Sequence, residues 1–349
     1  MSVTASEDRV AGAFPVAART AGLGWFNPAH IVLAVVLLIL PALTSDFVLF
    51  SIFAWALCLG MVALSLMFLA GYGGMVSLAQ LTIGGVAGYM VAIFGTNGMG
   101  TGLEWPWWAY IPAAIAIAVA FATLTGALAV RTAGIYTIMI TLAIAAAFFY
   151  FTQQNYDIFN GYNGFNLVLP PKLFGIDWRQ PMPFYYMALF FAVLSYAAVL
   201  YVSRSTFGLA LQGIRDNARR MEAIGYDVVL HRIAAYSFAG LIAAIAGVLL
   251  VWFNGAISPA SIGVGPAIDI LVIAIIGGLR HPIGPFIGAL IYAVLSVFAI
   301  DLIEVIIDRE RFKLVIGVIF LAIVLFSPDG ILGLWARFRQ KLTAGRDWN

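Results

Sequence analysis

Apolar runs of about twenty residues recur from one end of this chain to the other, and that recurrence limits what it can fold into. A helix needs about 20 mostly apolar residues to cross a bilayer. Ten such segments are read here: 29–46, 48–70, 73–95, 107–130, 133–152, 184–203, 232–253, 265–279, 283–300 and 312–328. The composition agrees: 63% of the 349 residues are hydrophobic, 10% are charged, and mean hydropathy is +1.01. Soluble domains carry roughly 25% charged residues. A cytosolic enzyme, a disulfide scaffold and a disordered chain are excluded, and the runs are too continuous for a membrane β-barrel. The expected fold is all-α, a polytopic membrane protein of about ten transmembrane helices in a domain over 29–330. It is flanked by cytoplasmic tails at 1–28 and 331–349.

The basic residues give an orientation. With ten spans and an inner N-terminus, thirteen of the eighteen Lys and Arg fall in inner segments and five in outer ones. Cytoplasmic loops carry the excess of positive charge, so both termini are expected in the cytoplasm. Trp105, Trp107 and Trp108 suit an outer aromatic belt and Trp335 an inner one. The third span is rich in Gly, Ser, Thr and Gln, and the eighth is short and begins beside Pro266. Each is read either as a full span or as a broken, re-entrant segment buried in protein.

Missing chemistry narrows the function. Three lysines are present, none after a glycine, so there is no phosphate loop. His30, His231 and His281 are far apart, no HExxH or GxSxG occurs, and Cys58 is the one cysteine. No catalytic, metal or cofactor residues are assigned, and a net charge of +2 gives no basis for nucleic-acid binding. Away from span ends, Asp269 is the charged residue inside a predicted span. An intramembrane acid marks a functional site by default, but near a helix N-terminus it also has a plain electrostatic role.

Two stretches carry the positive signals. The inner segment 204–231 reads as an amphipathic helix, with Leu211, Ile214, Ala218 and Met221 at helical spacing and Gly225 at its C-cap. Arg215, Asp216, Arg219, Arg220 and Glu222 cover its other face. Its mixed charge favours contact with another protein over anionic lipid. Residues 71–88 set Ser77, Gln80 and Thr82 among six glycines. These polar groups either bond neighbouring helices or face a solute path. Gly84 with Gly88, and Gly284 with Gly288, form GxxxG pairs suited to close helix packing.

These residues resemble those of the permease subunits of bacterial ABC importers for branched-chain amino acids, in the LivM-like branch. Four stretches carry the resemblance over roughly 48–330: GYGGMVSLAQLTIGGVAGY from Gly71, RTAGIYTIMITLA at 131–143, RSTFGLALQGIRDNARRMEAIGYD from Arg204, and IIGGLRHPIGPFIGAL at 275–290. Gln80 and Arg280-His281 depart from the family pattern. The resemblance implies a multi-pass chain of the bacterial inner membrane with no nucleotide site of its own. Its partners are a second permease, LivH-like or a second copy, two cytoplasmic ABC ATPases and an extracytoplasmic solute-binding protein. ATPase coupling is assigned on this basis to Arg215, Asp216, Asn217, Arg219, Arg220, Met221, Glu222, Ala223 and Gly225. The translocation path is assigned to Ser77, Gln80, Thr82, Tyr136, Thr137, Thr141 and Asp269. Urea, amides, aromatic acids and sugars stand as alternative solutes. An ion-coupled carrier using Asp269 stands as an alternative of another class.

Overall fold

A computed structural model describes residues 28–132, 134–171, 175 and 177–303. The predicted span 312–328, both tails and Trp335 lie outside the described residues. The chain divides into two units between Thr44 and Ser45. In the first, α1 (Pro28–Leu43) is an apolar helix with Pro41 in its last turn. Thr44 closes it by bonding the Leu40 carbonyl through its backbone nitrogen at 3.2 Å and its hydroxyl at 2.9 Å.

The second unit is built from α2 (Asp46–Tyr72), α3 (Gln80–Phe94), α4 (Trp107–Ala129), α5 (Ile135–Gln154), α6 (Pro181–Arg204), α7 (Thr206–Ala223), α8 (Val228–Asn254), α9 (Val264–Gly277) and α10 (Gly284–Ile303). A short 3-10 turn, Pro259–Ile262, leads into α9. Among the described residues six helices are long and apolar enough to cross a membrane, namely α2, α4, α5, α6, α8 and α9 with its leading turn. Gln80–Phe94 and Gly284–Val297 are shorter apolar helices. The protein is therefore an all-α polytopic membrane protein apart from one small strand pair. In that pair Phe165 faces Ile257 and Asn166 faces Ala256, antiparallel.

Burial sorts these helices into a centre and a periphery. In α2 and α8, 61% of the most apolar stretch is buried; in α5 only 22% is, and in α4 28%. The side chains of α5 left outside, among them Tyr136, Met139 and Phe151, are large and apolar. Lipid or another membrane chain is the solvent such a surface suits.

Glycines set the central contacts. A Cβ on Gly247 of α8 would strike the Gly84 carbonyl of α3, and one on Gly84 would lie 2.9 Å from the Ala243 carbonyl. Gly88 lies against Val251 further along. Contact positions rise together on both helices, so α3 and α8 run in the same direction. On the other flank, Gly288 of α10 packs on the Ile273 carbonyl of α9, and Gly277 on Gly284. Both GxxxG pairs thus act as packing surfaces that let backbones touch.

The third predicted span differs from a full crossing. Residues 74–79 leave the helix, and α3 begins only at Gln80. Gly74 makes the turn at φ +67. Irregular backbone at membrane depth needs partners within the protein. Leu78 finds one, its N–H donating to the Thr141 hydroxyl at 3.2 Å. The Met75 N–H donates to the Leu69 carbonyl at 3.0 Å. Helix α2 carries two π-helical stretches, Leu49–Ala54 and Phe68–Tyr72, the second directly before this break. Such π-turns concentrate at functional sites.

Candidate functional site: a chamber and a charged hairpin

At one end of the second unit three connections knit together. The Gly98 N–H donates to the Asn166 carbonyl at 2.9 Å, and the Val168 N–H to the Gly255 carbonyl at 3.0 Å. Gly164, at φ +62, has no room for a side chain beneath the Ile257 carbonyl. Below this cap lies a cavity of about 270 Å3. Gly84, Gly85 and Gly247 floor it, Leu59, Leu81 and Ile273 supply apolar wall, and Asn254 and Ser261 sit at its exposed rim. Asp269 and Tyr292 face each other across α9 and α10, with the Tyr292 hydroxyl in hydrogen-bonding range of the Asp269 carboxylate. Asp269 is the charged residue among those lining the chamber. Gly84 and Gly247 also make the α3–α8 backbone contact, so packing and the chamber lining share residues.

The other path residues collect elsewhere. Ser77, Gln80, Thr82, Thr137 and Thr141 are all buried. Ser77, Gln80 and Thr141 gather where α3 starts: Thr141 holds Leu78, Ser77 accepts from the Ala79 N–H at 3.4 Å, and Gln80 Oε1 lies 3.1 Å from the Ser65 hydroxyl. Gln80 Nε2 and Thr82 Oγ1 have no hydrogen-bond partner among the described residues. Thr137 turns back on its own loop, donating to the Thr132 carbonyl at 3.2 Å. Tyr136 is 69% exposed on the outer face of α5, apart from this group. Asp269 is thus the one predicted path residue that lines the chamber. Trp55, Asn254, Ser261 and Tyr292 line it without having been singled out. Their signal in the sequence is weak, because lone polar and aromatic residues near helix ends are common in membrane proteins.

At the opposite end of α8 the segment after Arg204 forms α7. Its predicted helix is present but not continuous. Asn217 sits at φ −157, ψ 93, breaking it in two. The Asn217 carboxamide oxygen accepts from the Arg220 N–H at 3.0 Å, capping the second piece. Asn side chains compete with the helix ladder in this way. The second piece folds back so that Met221 Sδ would lie 2.8 Å from a Cβ at Gly213. Leu211 and Ile214 are buried, while Arg215, Asp216, Asn217, Arg219, Arg220, Glu222 and Ala223 are exposed. Gly225, at φ +98, ends the hairpin: the Tyr226 N–H donates to the Met221 carbonyl and the Gly225 N–H to the Glu222 carbonyl. That pair of bonds is a Schellman C-cap.

Arg215 ties the hairpin to the bundle. Its Nη1 donates to the Gly71 carbonyl, and its Nε to Asp216 Oδ1 at 2.9 Å. A Cβ on Gly74 would sit 2.7 Å from Arg215 Cγ. The guanidinium thus grips the last turn of α2 where it leads into the break before α3. An Arg215→Ala chain is expected to exchange the amide hydrogens of residues 73–79 about tenfold faster, since a hydrogen bond from a charged group contributes about 1.5–3 kcal/mol. Mass-spectrometric hydrogen exchange reads this directly, and unchanged protection there would remove Arg215 as the link.

A bundle of apolar helices with a small, mostly apolar chamber bearing one acid at one end and a charged hairpin at the other is the frame of a multi-pass membrane protein. A family model described as "Branched-chain amino acid transport system / permease component" matches residues 48–324, and the chain belongs to that family. It is 23% identical over 309 residues to the high-affinity branched-chain amino acid transport system permease protein LivM of Salmonella typhimurium, covering 82% of this chain and 68% of the relative. The protein of the same name from Escherichia coli is also 23% identical, with 81% and 68% covered. The Pseudomonas aeruginosa permease protein BraD is 28% identical over 167 residues, covering 46% of this chain and 52% of that one. No solved structure matches the chain.

Proposed function

We propose that this chain is the permease subunit of an ATP-binding-cassette importer of the bacterial inner membrane. It carries branched-chain amino acids or a similar small polar solute, with both termini in the cytoplasm. The observation that carries this reading is the exposed, charged α7 hairpin, fastened through Arg215 to the chain that leads into α3. A partner ATPase gripping the hairpin would pull on Gly71–Gly74 and on the α3–α8 contact that floors the chamber. Such a two-state rearrangement needs a partner that binds one arrangement better than the other. The nine hairpin residues from Arg215 to Gly225 named above take the coupling role. Ser77, Gln80, Thr82, Thr137, Thr141 and Asp269 take the path role. Tyr136 joins them only in an arrangement that brings the outer face of α5 against a second permease.

The test is reconstitution of the native complex in liposomes with its ATPases and its external binding protein. Uptake of L-leucine is expected only with ATP inside and the loaded binding protein outside. Asp269 in the chamber keeps one rival specific: an ion-coupled carrier would use that carboxylate. Uptake by the chain alone under an imposed proton or sodium gradient would establish the rival and end the importer reading.

A further inference from the structure

Helix α8 has a second hollow on the side away from the chamber. Gly247, Val251 and Asn254 line the chamber. Ile245, Val248 and Trp252 line a groove of about 460 Å3, shared with α4, α6, Pro170, Pro171 and Trp178. All fifteen residues along this groove are aliphatic, aromatic, Met or Pro, so no acid, amide or hydroxyl is there to hold a polar solute. Val248, Leu249 and Trp252 on its floor are buried, while Trp107, Trp108 and Phe190 on its walls are exposed. The groove is therefore open from the side, toward the solvent that surrounds an apolar bundle. Lipid is that solvent.

Depth and charge narrow the occupant. Gly255, which caps α8, lies ten residues beyond Ile245, or about 15 Å of helix. That is half of a hydrocarbon core of about 30 Å, the depth of one leaflet. Gly126 of α4 meets Tyr236 of α8, and Ala122 meets Gly240, so these helices are antiparallel and α4 starts beside the Gly255 end. Trp107 and Trp108 stand at that start, and Trp at this level marks the boundary between headgroups and acyl chains. A cation stands there too. Arg179 follows Trp178, is exposed, and its Nη2 would lie 3.1 Å from a Cβ on Gly255. Asp177 accepts from the Arg179 backbone N–H at 3.2 Å, and the Arg179 guanidinium has no ion pair among the described residues. A guanidinium presents a planar fork of donors that matches a phosphate.

We propose that this groove seats one phospholipid, with an acyl chain along α8 between α4 and α6 and its phosphate on Arg179. An acyl chain gains little by leaving one apolar environment for another. Selection must then come from the phosphate, and Arg179 decides it. Because α8 also lines the chamber, the seated lipid stands one helix away from it. The seat does not depend on which solute crosses.

The test labels the full chain, purified in detergent with its partner subunits, with a phosphatidylglycerol that carries a diazirine in one acyl chain. Labelled peptides are quantified by mass spectrometry after irradiation. Residues 245–252 are expected to take at least about threefold more label than the start of α5, where Ile135, Tyr136 and Met139 are exposed. Plain dioleoyl phosphatidylglycerol at four times its dissociation constant is expected to cut that label about fivefold by mass action. Dioleoylglycerol, which has the same chains and no phosphate, is expected to leave it unchanged. With the probe below saturation, Arg179→Ala should lower the label on 245–252 about fivefold, and Arg179→Lys should restore most of it. Equal competition by dioleoylglycerol, or labelling that survives Arg179→Ala, overturns the seat. So does label on 245–252 no stronger than on α5, the result expected if a second copy of the chain, a partner subunit or residues outside the described ones cover the groove. If the Arg179→Ala complex is not recovered, Arg179→Gln is read in the same way.

Discussion

Gly247→Ala is expected to destabilise this protein markedly, and Gly247→Leu to prevent its recovery as a folded chain. At Gly247 the new carbon meets the Gly84 carbonyl, its carbon and its Cα, all backbone. No rotamer change can relieve that clash; α3 and α8 must separate. Overpacking of a well-filled core costs roughly 1–3 kcal/mol. Separation would also loosen Gly88 from Val251. The measurement is the thermal midpoint of the detergent-solubilised chain by size-exclusion recovery. Gly265→Ala is the control, since nothing lies within 4 Å of its added carbon. In the first turns of α9 it should be neutral or gain up to about 1 kcal/mol from helix propensity. A Gly247→Ala chain as stable as the Gly265→Ala chain would show that α3 and α8 do not meet through backbone.

Reversing both charges in Arg219→Glu with Glu222→Arg is expected to separate ATP hydrolysis from uptake. Both side chains are exposed on the second piece of α7, past the Asn217 break. Neither has an ion-pair partner among the described residues. Surface charges of this kind add little to a chain's own stability. The double variant should therefore fold and pair with its partners' lipid environment as before. Charge pairs across an interface couple by about 1.5 kcal/mol or more, so uptake should fall at least about tenfold. The ATPases should keep their basal turnover. Normal L-leucine uptake by the double variant would place the coupling surface elsewhere. Arg215→Ala separates the two halves of this argument, because Arg215 faces the bundle through Gly71 and the reversed pair faces outward.

Much of the architecture was legible in the residues because lipid imposes a strong rule: backbone must be satisfied within the segment, so apolar runs become helices. Nine predicted spans fall on helices α1 to α6 and α8 to α10, with ends shifted by a few residues. The exception in detail is 73–95, where helix begins only at Gln80. Gly71, Gly73 and Gly74 with Ser77 signalled a break, but the Thr141 hydroxyl that makes the break tolerable is 63 residues from Leu78. Asn217 shows the same limit on a smaller scale. Its spacing was helical, and its capping of Arg220 appears only once the backbone is folded. Gly225 was legible as a C-cap because a Schellman turn is a local event.

The candidate site was legible in part, and the division follows range. Asp269 stood out because charge within an apolar run is visible in one dimension. Trp55 and Tyr292 did not, since 237 positions separate them in the chain. The polar residues between Ser77 and Thr141 were grouped by type, and folding brings three of the six, Ser77, Gln80 and Thr141, to one helix start.

By itself the sequence determined the solvent of this protein, its class of secondary structure and the charged segment after Arg204, all of which depend on local composition and spacing, while its motifs carried the resemblance to its family. Only the tertiary structure decided that Gly84 and Gly247 bring two backbones together, that Arg215 fastens the hairpin to α2, and that one acid and two rings surround a small chamber. The reason is physical: hydrophobic periodicity is written along the chain, whereas a site is made by groups that meet only after helices far apart in sequence have packed.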